Sequence, residues 1–406
     1  MRMDGIGSAR WRRQWLVAAA LLLLFSLAPL PSSGNADAAA ANVSAISTQA
    51  KAAAIIDVES GRLLYSKNGD EPMRIASLTK IMTAIVAIEN GNLADKVKVS
   101  VRAAGKEGSS IYLRAGEVMK LEDMLYGLML RSGNDAATAI AEHVGGSIDG
   151  FVKMMNEKAE WIGLKHSRFM NPSGLDEDGH LSTANDLAKL TAYALHNPTF
   201  AAIVKTRVKK APNPNEQWDY SWSNKNKMLA MYEGADGVKT GYTKAALRCL
   251  VSSATRNGQQ LAAVTINDRN DWADHRSMLD WGFQHYVPTV IAKQGQPISG
   301  YTLAAGQSFR FPLAKGEASD LHSKLILLDP QSSRYALGER GVLQWELSGE
   351  VIGAIPVYET GSERLSWPDK KPIPAVEHAT SAQVEAGSSF RTAIQAVVRA
   401  LFGGGA

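Results

Sequence analysis

Arg74-Ile75-Ala76-Ser77-Leu78-Thr79-Lys80 runs straight into Ile81-Met82-Thr83-Ala84-Ile85-Val86-Ala87-Ile88, an apolar-periodic stretch that reads as a helix entering a core. Ser77 and Lys80 are three positions apart, which puts both on one helical face. A serine hydroxyl is a weak nucleophile at neutral pH and requires a base within about 3 Å. A lysine desolvated enough to lose its proton supplies one. Ser77 at the head of a helix also lies where free backbone N–H groups can receive an oxyanion. The bland alternative makes Ser77 a helix cap and Lys80 a solvated side chain, and S-x-x-K alone does not separate the two.

Two later segments do. Ser132-Gly133-Asn134 follows a helical run, Leu121 to Leu130, and Lys239-Thr240-Gly241 follows an expected turn at Gly234-Ala235-Asp236-Gly237. S-x-x-K, S-D-N and K-T-G are the set shared by class A β-lactamases and penicillin-binding proteins. All three occur here in that order, with Gly133 in place of the central aspartate. Together they predict an active-site serine acyl-transfer enzyme.

The chain has 406 residues, enough for two domains and a sizeable core. Its net charge of +4 (44 basic minus 40 acidic residues) is modest, and no Lys/Arg tract resembles a nucleic-acid stripe. Arg10, Arg12 and Arg13 precede the apolar run Leu16 to Leu27, and Pro29, Pro31, Gly34 and the small residues of Ala36-Asp37-Ala38 follow. That three-part pattern predicts a secretory signal peptide over residues 1–38. An uncleaved anchor is the alternative, but the run is shorter than the roughly 20 residues a span needs. Cys249, the only cysteine, has no partner for an intramolecular disulfide and reads as a buried, inert thiol.

Lys51 to Val58 reads as a strand, Glu59 to Arg62 as its turn and Leu63-Leu64-Tyr65 as the return strand of a hairpin. The serine helix ends at Glu89-Asn90-Gly91. Short strands and turns, Ile111-Tyr112-Leu113 among them, fill residues 97–120. Helices are expected from Leu121 to about His143 with a break at Ser132, from Ile148 to Ile162 and from Ala184 to Leu195. Arg248 to Ser252 and Leu261 to Ile266 read as strands joined by an Asn257-Gly258 hairpin turn, with Met278 to Phe283 as a helix on the sheet. Strands at both ends and helices between predict an α+β catalytic domain over 45–287. After Pro288, strand candidates at 289–292, 307–311, 324–328 and 351–358 predict a small all-β domain over 288–368. A linker follows over 369–388. Phe390, Ile394, Val397, Val398, Leu401 and Phe402 then form one apolar face of a helix within 389–406, opposite Arg391, Gln395 and Arg399. That helix either lies in a membrane interface or docks on the protein.

With these residues in hand, the sequence resembles the low-molecular-mass penicillin-binding proteins of the D-alanyl-D-alanine carboxypeptidase family (peptidase family S11). Ala76 to Thr83, Leu128 to Ala137 and Asp236 to Thr243 are similar to its three motif segments. Asn171-Pro172-Ser173-Gly174-Leu175 with Ser182-Thr183-Ala184 resembles a fourth, and the likeness extends over roughly residues 45–365. The resemblance implies the penicillin-binding-protein and serine β-lactamase type of transpeptidase fold, an antiparallel sheet with helices. It implies removal of the terminal D-alanine from peptidoglycan stem peptides ending in D-Ala-D-Ala, covalent inhibition by β-lactams, and no metal or cofactor. It makes Ser77 the acylated nucleophile, Lys80 its base and Ser132 a proton relay toward the leaving amine. Asn134 would bind the substrate's peptide carbonyl. Lys239 and Thr240 would meet its carboxylate, and the N–H groups of Ser77 and Tyr242 would form the oxyanion hole. Gly241 would let a substrate backbone lie close to the strand edge. Residues 389–402 would hold the exported enzyme at the outer face of the cytoplasmic membrane.

Ser173 and Tyr242 depart from the family, which often has histidine at each. A carboxylate-binding arginine downstream of the third motif is expected, with Arg248, Arg269 and Arg276 all candidates. The rival readings are a D,D-endopeptidase using the same residues, a β-lactamase deacylating through Glu157 or Glu160, and a non-catalytic peptidoglycan-binding protein.

Overall fold

The computed structural model describes residues 46–368. The expected signal peptide, the linker and the amphipathic helix all lie outside the described residues. Fifteen strands are present among the described residues: β1 (Ala52–Asp57), β2 (Leu63–Lys67), β3 (Lys96–Lys98), β4 (Val118–Lys120), β5 (Val208–Ala211), β6 (Tyr220–Ser223), β7 (Ala235–Thr243), β8 (Leu247–Arg256), β9 (Gln259–Ile266), β10 (Tyr286–Ala292), β11 (Leu303–Ala305), β12 (Phe309–Ala314), β13 (Leu321–Leu327), β14 (Glu339–Leu347) and β15 (Glu350–Glu359).

The central sheet runs β2-β1-β9-β8-β7, and every pair in it is antiparallel. Successive side chains of a strand point to opposite faces, and β1 divides accordingly. Ala52, Ala54 and Ile56 join the core beneath the helices, whereas Ala53 and Ile55 join the core on the other face. The first core holds the helices Lys80–Asn90, Leu121–Arg131, Asn134–Gly145, Ile148–Ile162 and Ala184–Leu195; the second holds helix Asp271–His285. The buried His275 of that helix bridges Ser252 and Thr265 on two strands. Burial holds it neutral, its pKa lowered to about 3. The α+β architecture expected from the sequence is the one observed.

The helices at 148–162 and 184–195 fall where periodicity placed them, and Asn257 and Gly258 both take positive φ in the two-residue β8–β9 turn. Helix Asp271–His285 is longer than the expected 278–283. Ile111-Tyr112-Leu113 is not a strand. Tyr112 has φ +65, and the segment hangs from the carboxylate of Asp135 instead of a ladder partner. The expected turn at 234–237 is shorter than predicted, because Ala235 to Gly237 already belong to β7.

The change of character at Pro288 falls inside β10, which pairs with β12. Beyond it a four-stranded sheet, β11-β15-β14-β13, closes on Phe309, Phe311 and Trp345. Arg62 in the β1–β2 turn reaches this region, donating to both carboxylate oxygens of Glu317 at 2.8 and 2.6 Å and stacking over Phe311.

Candidate active site

Ser77 lies in a 3-10 turn, Ala76–Thr79, and Lys80 opens the α-helix that follows. In a 3-10 turn residues three apart eclipse, so the two side chains still meet: Lys80 Nζ lies 3.0 Å from Ser77 Oγ. Ser77 makes no capping hydrogen bond, and Lys80 is fully buried, which disposes of the bland alternative for both.

The Lys80 amino group has two other neighbours, Asn134 Oδ1 at 2.7 Å and the Ser173 carbonyl at 2.6 Å. Asn134 turns its oxygen toward the lysine because its Nδ2 donates to the Glu107 carbonyl at 2.6 Å. Both neighbours are therefore acceptors only. Burial pushes the Lys80 pKa well below its usual value, and the charges of Lys239 and Lys225 push the same way, opposed by Asp135. A neutral amine has two N–H groups and one lone pair. The two carbonyl oxygens take the N–H groups, and the lone pair is left for the Ser77 hydroxyl.

Ser132 ends helix Leu121–Arg131 in the left-handed conformation, φ +65, and Asn134 starts the next helix. The bend brings Asn134 to Lys80, with Ser132 buried two residues before it. Asp135, fully buried, accepts from Ser110 Oγ at 2.6 Å and from the Ile111 and Leu113 N–H groups. This fastens the 107–113 loop that also receives the Asn134 N–H at the Ser109 carbonyl.

Lys239, Thr240, Gly241 and Tyr242 lie on β7, the edge of the central sheet. Lys239 is buried, and its pKa is lowered to about 7 by burial and by the charge of Lys225. Tyr242 is exposed. Gly241 has a reason beyond access for substrate: a Cβ there would stand 3.2 Å from the Ile75 carbonyl and 3.3 Å from the Leu78 nitrogen. The serine turn packs directly on this edge.

Ser173 contributes through its carbonyl, so the side-chain departure at that position leaves the lysine's contact intact. Of the three arginines, Arg248 is ion-paired with Asp271, and Arg276 acts electrostatically on Tyr232. Arg269 and Arg248 both line a small pocket of about 200 Å³ with Tyr242 and Leu247, and of the two Arg269 forms no ion pair among the described residues. Glu157 is exposed in an ion pair with Lys153 and Glu160 is exposed on the same helix, so neither is a buried deacylating base.

Asp135, Lys225 and His180 were not singled out from the sequence. Lys225 Nζ lies 3.0 Å from Ser109 Oγ, beside the loop under Asn134. His180 accepts the Met170 N–H at Nδ1, so its Nε2–H donates to Thr79 Oγ1 at 2.8 Å, and Thr79 donates to the Ala76 carbonyl. Burial lowers the His180 pKa to about 4 and keeps it neutral. Only the aspartate directly after Ser132-Gly133-Asn134 carried a local signal; the other two come close through the fold.

An antiparallel sheet with a serine–lysine pair at the head of a core helix, facing an S-G-N bend and a K-T-G edge strand, defines the class of active-site serine penicillin-binding enzymes. The sequence matches the D-alanyl-D-alanine carboxypeptidase family, peptidase S11, over residues 38–270, and the chain belongs to that family. D-alanyl-D-alanine carboxypeptidase DacF of Bacillus subtilis is 35% identical over 77% of this chain and 86% of its own length. DacC of Escherichia coli is 31% identical over 84% and 90%. The crystal structure of penicillin binding protein 5 from Haemophilus influenzae superposes with a TM-score of 0.66 at 26% identity, over 78% of this chain and 98% of that one.

Proposed function

We propose that this chain is a serine-type D-Ala-D-Ala carboxypeptidase acting on peptidoglycan stem peptides. Ser77 Oγ attacks the carbonyl of the penultimate D-alanine as Lys80 Nζ takes its proton. The peptide bond breaks, and the terminal D-alanine leaves with a proton passed through Ser132. Water then hydrolyses the Ser77 ester and restores the hydroxyl. Asn134 holds the substrate's peptide carbonyl, while Lys239, Thr240 and Arg269 meet its terminal carboxylate. The N–H groups of Ser77 and Tyr242 receive the oxyanion. The free edge of β7 offers a backbone against which an extended peptide lies. β-Lactams acylate the same serine.

The observation that carries this reading is the buried Lys80 Nζ 3.0 Å from Ser77 Oγ, with its two other neighbours acceptors only. Intact-mass spectrometry after exposure to penicillin tests it: one covalent adduct on the native protein and none on Ser77→Ala is the expected result, and an adduct on the variant overturns the assignment. The exposed Glu157 and Glu160 favour this reading over a β-lactamase.

We further read residues 45–287 as the catalytic domain and 288–368 as a small β domain. Residues 1–38 are assigned to export, and 389–406 to peripheral attachment at the outer face of the cytoplasmic membrane. Among the described residues no helix is long and apolar enough to cross a membrane. Deleting residues 388–406 should abolish liposome co-sedimentation and spare turnover of a soluble peptide; undiminished co-sedimentation refutes the attachment.

A further inference from the structure

A second cleft, of about 510 Å³, opens where the Asn257–Gly258 turn, helix Asp271–His285 and strands β10 and β12 meet. It is remote from Ser77. Gly241, which packs on the serine turn, pairs with Cys249, whereas Ala235 at the other end of β7 pairs with Ala254 near the cleft. Six strand residues separate the two ends, roughly 20 Å.

We propose that this cleft binds a carboxylate or phosphate group carried on a compact, partly apolar body, with Arg310 as its principal cation. Strand alternation sets the side chain there. Phe309, Phe311 and Leu313 of β12 face the small core, so Arg310 projects from the opposite side of the β10–β12 pair. Arg310 lines the cleft and forms no ion pair among the described residues, and its Nε is buried without a hydrogen-bond partner. A guanidinium binds an oxyanion bidentately, and with Nε shielded from solvent the terminal N–H groups of this half-buried side chain are the ones offered to a ligand.

The other charges on the wall are already matched. Arg256 is fixed between the Asp280 carboxylate at 2.9 Å and the Glu233 carbonyl, and it stacks over Tyr232 and Phe283. Asp280 also accepts the Tyr232 hydroxyl at 2.7 Å. One positive charge is therefore left over, which suits a single anionic group. Asn257 and Gln284 add amide groups at the mouth, and Phe283, Val287 and Pro288 supply an apolar wall for the body of the ligand.

The test is isothermal titration calorimetry of the full chain with inorganic phosphate, glycerol 3-phosphate and N-acetylmuramic acid, and with N-acetylglucosamine as the neutral control. The expected result is saturable one-to-one binding of at least one anion and none of the control. A preference between the phosphates and the muramate carboxylate identifies the source of the anion. Arg310→Gln should weaken that binding by roughly tenfold or more, and Val287→Glu should do so by repulsion, while penicillin acylates both variants at the native rate. Val287 is exposed, so that variant decides the matter even where Arg310→Gln fails to fold. No saturable binding of any of the three anions, or unchanged affinity in a folded variant, overturns the proposal.

Discussion

A Cβ atom on Gly174 would stand 1.9 Å from the carbonyl oxygen of Ala76. The 171–175 loop thus presses its backbone against the turn that carries Ser77, with Gly174 itself at φ +80 and Ala76 at φ +49. The same loop supplies the Ser173 carbonyl to Lys80, so two contacts from one loop bear on the position and the electrostatics of the serine–lysine pair.

Gly174→Ala should therefore disturb more than a loop. Both the positive φ and the clash oppose it, and a loss of a few kcal/mol is expected. Thermal unfolding would show it, and penicillin acylation should slow in the fraction that stays folded. Native-like stability and acylation would mean that the loop can retreat without moving the serine.

Lys80→Met removes the base and keeps an unbranched stem in the buried channel. Acylation by penicillin should fall by roughly 10²–10⁴-fold, measured by stopped-flow or by adduct formation over time. Retention of the native rate would exclude Lys80 as the proton acceptor.

The pH profile follows from two lysines with opposite requirements. Lys80 must be neutral, so kcat/KM falls on the acid side as it gains a proton. Lys239 must be charged to meet a carboxylate, and with its pKa lowered to about 7 it loses that charge as pH rises through 7. For a D-Ala-D-Ala peptide the alkaline limb should begin there, since kcat/KM reports the free enzyme. Lys239→Arg keeps the charge at high pH and should move that limb upward. A limb that stays in place would assign it to another group.

Asp135→Asn gives two separable effects. The amide cannot satisfy Ser110, Ile111 and Leu113 together, and each buried donor left unpaired costs about 1–3 kcal/mol. The carboxylate also raises the Lys80 pKa, so its loss should shift the acid limb to lower pH while the plateau rate drops. Chemical denaturation and a pH–rate series read the two independently.

Arg269→Ala should raise KM for peptides ending in a free carboxylate and leave penicillin acylation nearer the native rate than Lys239→Ala does. An equal effect on a peptide with an amidated terminus would remove Arg269 from carboxylate binding.

Much of this was legible in advance because it is local. The three motifs declare their chemistry by residue type and order, and the helices at 148–162 and 184–195 have apolar faces long enough to read. Helix Pro198–Lys205, the half-exposed β5–β6 pair and strand β14 left weak patterns in the sequence. Ile111 to Leu113 alternate in burial as a strand would, yet their backbone is satisfied by an aspartate more than 20 positions away. Lys225 and His180 carry no local signal; they matter only because folding brings them beside Ser109 and Thr79.

The order of strands in the central sheet governs when this molecule becomes a protein at all. β1 lies between β2 and β9, and Asp57 on β1 receives the amide of Gln259, 202 positions later. Closing so wide a loop makes folding slow relative to chains dominated by local contacts. During synthesis the first hairpin waits, with one edge open, until nearly two thirds of the chain has emerged. Ser77 likewise lacks its packing partner until the β7 edge, more than 150 positions later, has joined that sheet.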